Sequence, residues 1–140
     1  MGKINYGRVV LGGVVAGIVF LLMDFVGMQI LPFDWMAWMA ERGLTEPPMA
    51  TWIVMDLVIG ILAVWLYAAI RPRFGAGVQT AIIAAVWLWL LLCTIQWAPT
   101  AMGLWPMSAY WGMVGWGIVQ TIASVVAGAW VYKEEGSAAM

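Results

Sequence analysis

The sequence predicts an all-α, polytopic membrane protein: four transmembrane helices in an antiparallel bundle, with a short interfacial helix between the first and second. Composition is the first reason. Of 140 residues, 65% are hydrophobic and 9% charged, and the mean hydropathy is +0.96, against roughly 45–50% apolar and about 25% charged in a soluble domain. The second reason is length. Four apolar segments, set apart by prolines and charges, each exceed the ~20 residues needed to cross a ~30 Å hydrocarbon layer. The third is pattern: the runs are continuous and lack the alternation of a barrel strand, so only helices satisfy their backbone groups within lipid.

The first segment runs from about Val9 to Leu31 and stops at Pro32. The preceding MGKINYGR resembles a signal-peptide start, but the apolar run is long and has no small-x-small cleavage site before Asp24, so it is expected to be a retained first helix. In the loop PFDWMAWMAERGLTEPP, Asp34 can cap a short helix that Gly43 ends. Trp35, Trp38 and Met39 then share a face, and the expected role is an anchor lying flat in the headgroups, with a lid or docking surface as the alternative. The second segment spans about Met49 to Ile70, and Pro72 is expected to end it. The third covers about Ala76 to Ala98 before Pro99, and the fourth about Pro106 to Tyr132 before Lys133-Glu134-Glu135.

Four crossings put both termini on one side with the Arg71-Pro72-Arg73 loop. That side holds Lys3, Arg8, Arg71, Arg73 and Lys133, and the other only Arg42, so the positive-inside rule makes both termini cytoplasmic. A net charge of −1 gives no electrostatic case for nucleic acid. Histidine is absent, which removes the commonest ligand of haem iron, zinc and copper and the usual acid and base near neutral pH. Cys93 is alone and cannot form an internal disulfide. Neither a phosphate loop nor a nucleophile elbow is present. Enzymatic chemistry, a bound metal and a catalytic residue are therefore not expected.

Eleven tryptophans fit an aromatic belt for the most part: Trp35, Trp38, Trp52, Trp97 and Trp105 fall near the outer boundary as interfacial anchors, and Trp65 and Trp130 near the inner one. Trp87 and Trp89 in the third segment, with Trp111 and Trp116 in the fourth, lie deeper. Two residues apart, Trp87 and Trp89 point about 200° from one another on a helix, so one faces outward while the other packs inward. An exposed rigid aromatic surface suits a neighbouring subunit, a bound lipid or a lipophilic cofactor, and the sequence does not separate these.

Chemistry concentrates at two Met-Asp pairs, Met23-Asp24 and Met55-Asp56. Asp24 precedes Pro32 by eight residues and Asp56 follows Pro48 by eight, so on antiparallel helices both sit about 12 Å below the outer boundary. Gly13, Gly17 and Phe20 share the face of Asp24, as Gly60, Ala63 and Tyr67 share that of Asp56. Equal depth matches Phe20 with Gly60, Gly17 with Ala63 and Gly13 with Tyr67, the small-against-large packing of a tight hairpin in lipid. Each ionised Asp costs about 2.5–3.5 kcal/mol at a helix centre, and no Lys or Arg within the spans neutralises them. The pair is expected to share a proton and titrate as a unit.

Three readings compete for these acids: a neutral clasp hydrogen-bonded to Gln29, Thr94, Gln96 or a backbone carbonyl; a docking charge for a cation on a partner chain; and a step in a proton or cation path. Gln96 and Gln120 join Asp24 and Asp56 as candidate functional or assembly residues. For a path, the fourth helix offers Gln120, Thr121 and Ser124, but Gly117, Thr121, Ser124 and Gly128 form a small-residue stripe whose plain meaning is packing. No continuous polar route is visible. Gln29-Ile-Leu-Pro32 and Gln96-Trp-Ala-Pro99 repeat one spacing at two helix ends, without an acid in the second copy.

The stretch VWLYAAIRPRFGAGVQTA from Val64 to Ala81, with MDFVG at Met23 to Gly27 and the Met102-Gly-Leu-x-Pro106 turn, resembles a family of small bacterial four-helix integral membrane proteins. Arg71-Pro72-Arg73-Phe74-Gly75 is its most distinctive part. The resemblance implies the fold and a bacterial inner membrane, and it transfers no activity or catalytic residue. The expected function is that of a non-enzymatic accessory or structural subunit of a larger membrane complex, or a homo-oligomer, surrounded by lipid. The rival is a small proton- or cation-coupled transporter using Asp24 and Asp56.

Overall fold

The computed structural model describes residues 3–133. Five helices follow in order: α1 Tyr6–Ile30, α2 Trp35–Glu41, α3 Met49–Phe74, α4 Val78–Ala101 and α5 Met107–Val131. All but α2 are long and apolar enough to cross a membrane. The described chain forms an all-helical bundle in which α1 packs most extensively on α3 and next on α5, and α5 also packs on α4. Among the described residues α3 touches α4 and α5 more lightly, and α1 does not meet α4. The bundle thus has an α2 end, with the loops around 31–48 and 102–106, and an opposite end, called terminal here, with Asn5, the turn around 75–77 and Tyr132.

Local chemistry sets the helix ends. The Asn5 side chain accepts the Arg8 N–H at 3.0 Å and starts α1. Asp34 caps α2 by accepting the Ala37 N–H at 2.9 Å, and Gly43 follows it at φ 64°, as glycine permits. Two expected stops differ. Rather than ending at Ile70, α3 continues through Pro72 to Phe74, and α4 continues through Pro99 to Ala101. A proline removes one N–H from the ladder, and near a helix end the neighbouring bonds carry the chain past it: Gly75 N–H reaches Arg71 O at 2.8 Å, and Met102 N–H reaches Ala98 O at 3.1 Å. Gly75, at φ 87°, makes the turn.

The core of the terminal half is dry and small. Ala16, Val64, Ala85 and Val125 are fully buried. Gly12 of α1 and Gly128 of α5 approach so closely that a Cβ on either would fall under 3.0 Å from the other's carbonyl oxygen. At this end Tyr132 Oη accepts the Asn5 N–H at 3.3 Å and Tyr67 Oη accepts the Gly77 N–H at 3.2 Å. The Tyr67 and Tyr132 rings meet edge to face at 5.9 Å, and the Arg71 guanidinium lies over Tyr132 at 5.6 Å. These contacts close the bundle where the backbone would otherwise present unpaired groups.

The α1–α3 hairpin is tight, in a register other than the equal-depth one. Gly13 faces the Cα of Ile61, Gly17 faces the Cα of Leu57, and Gly60 fits between Gly13 and Gly17. Phe20 is buried, but Gly60 does not stand opposite it. Equal counting from Pro32 and Pro48 assumed helices that leave the membrane at one height. The glycines instead choose the register in which backbone meets backbone, because in lipid van der Waals contact supplies the attraction.

At the α2 end, α2 does more than lie flat. Met39 is buried, and Trp35, Trp38, Phe33 and Trp105 gather into one aromatic cluster with ring centroids 5.1–6.5 Å apart. Arg42 sits 4.5 Å over the Trp38 ring and donates to Trp38 O at 3.1 Å. Three expected anchors thus hold the first loop to the α4–α5 turn. Trp52 stays half-buried and Trp97 exposed.

Candidate functional site

The shifted register changes how the two acids meet. Asp56 lies level with about Ile18, and Asp24 stands about one and two-thirds turns nearer the α2 end, on the order of 9 Å at 1.5 Å per residue. Helical side chains lean toward their own N-terminus. On antiparallel helices Asp24 therefore leans toward the terminal end and Asp56 toward the α2 end, each toward the other. The carboxyls come close enough to share a hydrogen bond.

Gln120 of α5 completes the group. Its Nε2 donates both to Asp24 Oδ1 and to Phe20 O, the latter at 3.2 Å. One turn nearer the α2 end, Trp116 Nε1 donates to Met23 O at 3.1 Å, and the indole packs on Gly27, where a Cβ would lie 2.7 Å from Nε1. Leu31 reaches across to Gly112. Two α1 carbonyls already in the helical ladder accept these extra bonds through their second lone pair. Glycine at 27 is what lets the indole lie flat enough to form one of them.

Asp56 is 4% exposed, and its Oδ2 has no hydrogen-bond partner; Ser124, fully buried one turn from Gln120, likewise has no partner for Oγ. Thr121 is satisfied by Gly117 O. Arg42 does not neutralise the acids: it is engaged with Trp38 and lies 3.6 Å from Glu41. Beyond Ser124 toward the terminal end the interior is Val64, Val125, Ala16 and the Gly12–Gly128 contact. The polar group therefore ends in close-packed hydrocarbon.

Of the sequence candidates, the structure brings Asp24, Asp56 and Gln120 together and leaves Gln96 apart on α4, where its carbonyl accepts from Thr100 Oγ at 2.8 Å. Thr94 is exposed and bonds Leu90 O at 2.7 Å, and Gln29 is exposed. Trp116 was missed as part of this group. Its signal was available: Trp116 and Gln120 are four apart and so share a helix face.

The deeper tryptophans divide as their spacing requires. Trp87 points outward at 66% exposed, whereas Trp89 turns in, packs by Gly117 and donates to Val114 O at 3.0 Å. Trp111 is also outward, at 60%; it lies about one turn inside α5 rather than deep in it and meets edge to face the Tyr110 ring, which also meets Trp97. No family model matches the chain, and neither does any curated protein or solved structure.

Proposed function

We propose that this protein is a non-enzymatic accessory subunit of a larger assembly in a bacterial inner membrane, with both termini cytoplasmic. The observation that carries the reading is the outward Trp87 in the middle of α4, with Trp111 outward on the neighbouring helix. Large rigid aromatics lose little conformational freedom on docking and supply wide contact area. Belt tryptophans belong at the interface and not mid-span. Among the described residues the segments that join the four spans are short. Lipid covers the surface where no partner sits.

Purification in mild detergent tests this. A membrane protein, or a second copy of the chain, should copurify with wild type and be lost with Trp87→Ala plus Trp111→Ala. A monomer that brings down nothing overturns the reading.

A transporter reading has one observation in its favour, the unpartnered Oδ2 of buried Asp56. The packed terminal half counts against a through path in this conformation. Proton and cation flux in liposomes decides it: equal flux for wild type and for Asp24→Asn plus Asp56→Asn removes transport.

A further inference from the structure

Two incomplete groups occupy adjacent layers of the α1–α3–α5 junction. Asp56 Oδ2 is an acceptor without a donor, and Ser124 Oγ is a hydroxyl without a partner, both cut off from solvent. Ser124 is one turn from Gln120 on the same stripe of α5. Its Cα–Cβ bond leans toward the α5 N-terminus, which is the direction of the acid layer. Asp56 is buried and Asp24 half-buried beside it, and two carboxylates so placed without a counter-charge are unstable unless something positive joins them.

No protein group supplies that charge among the described residues. The helices α4 and α5 carry no charged side chain. On α1 the other charge is Arg8, and on α3 the others are Arg71 and Arg73, all at the terminal end. Arg42 is held by Trp38 and Glu41. We propose that Asp24, Asp56, Gln120 and Ser124 form a binding site for one small monovalent cation, a proton or a sodium ion.

Size and donor type select that class. Calcium takes 6–8 oxygens and magnesium keeps several waters, whereas only two carboxyls converge here and no third Asp, Glu, Cys or His joins them among the described residues. A proton fits between the carboxyls as they stand. A sodium ion would draw on the carboxylate oxygens, Ser124 Oγ and the amide oxygen of Gln120, all hard donors suited to it. The close-packed terminal half leaves the α2 side, where Trp116 bonds Met23 O and lies on Gly27, as the side of entry. The site goes beyond the subunit reading and does not depend on it.

The test uses the purified full chain alone, in detergent, by infrared spectroscopy of the protonated-carboxyl stretch across pH, with choline chloride or sodium chloride at equal ionic strength. A band that titrates and disappears in Asp56→Asn supports the site. If sodium at fixed pH removes that band saturably, and Ser124→Ala weakens the sodium effect roughly tenfold without moving the proton titration, the ion is sodium; no sodium effect assigns the proton. A protonated-carboxyl spectrum whose titration is unchanged in both Asp56→Asn and Asp24→Asn, together with no sodium dependence of tryptophan fluorescence, overturns the proposal. Asn keeps the shape of Asp, and either variant suffices if the other does not fold. Because no partner is present, failure here leaves the docking reading standing, and failure of copurification leaves this one standing.

Discussion

In the terminal half of the bundle Gly12 and Gly128 bring α1 and α5 together almost backbone to backbone, around Ala16, Val64 and Val125. In the α2 half the same two helices are joined by side chains, Gln120 to Asp24 and Phe20, and Trp116 to Met23. The first kind of contact tolerates no added atom, and the second can be made and broken by rotating a side chain. Lipid offers helices no hydrophobic drive toward one another, so the glycine contacts supply cohesion and leave the polar contacts free for a task.

The comparison breaks first at the glycines. Gly60→Leu should prevent the α1–α3 hairpin and abolish monodisperse protein on gel filtration, and Gly60→Ala should cost about 3 kcal/mol in mixed-micelle unfolding, the upper part of the overpacking range, because its Cβ meets the backbone of Gly13 and Gly17. Val64→Ala, which empties a fully buried place in the terminal half, should cost about 2 kcal/mol by the same measurement. Gln120→Leu removes two donated bonds and should cost about 1–2 kcal/mol, while Trp116→Phe should cost about 0.6 kcal/mol, the usual worth of one interhelical hydrogen bond in a membrane protein. The smallest change is Trp87→Ala, expected within ~0.5 kcal/mol for the isolated chain; a large loss would mean the indole belongs to the fold and not to an outward surface.

Much of this was legible in the residues. Apolar length marked the four spans, Asp34 and Gly43 marked α2, and the spacing of Trp87 and Trp89 required one to face in. The meeting of Asp24 with Asp56 was expected from equal depth below Pro32 and Pro48; the two carboxyls do approach, but from different levels, because the glycines set another register. Gln120 as their partner was not legible from depth. Leu31, just past the end of α1, lies opposite Gly112, five residues inside α5, so the helices end at different heights and counting from prolines misplaces α5. Prolines near helix ends misled for a related reason: their lost bond is local, and the next residues restore the ladder. In the aromatic cluster the spacing of Trp35 and Trp38 announced their shared face, but Trp105 comes from the distant α4–α5 turn and nothing in the sequence announces its contact with them.

Because Gly12 and Gly128 leave no slack, their crossing serves as a fulcrum. Gln120 and Trp116 lie eight and twelve residues along α5 from it, roughly 12 and 18 Å of lever arm at 1.5 Å per residue. A tilt of α5 by about 5° at that point would carry the Trp116 indole ~1.5 Å, enough to part it from Met23 O while scarcely disturbing Val64. The same small rotation would be felt as a broken hydrogen bond at Trp116 and as almost no displacement at the glycine crossing.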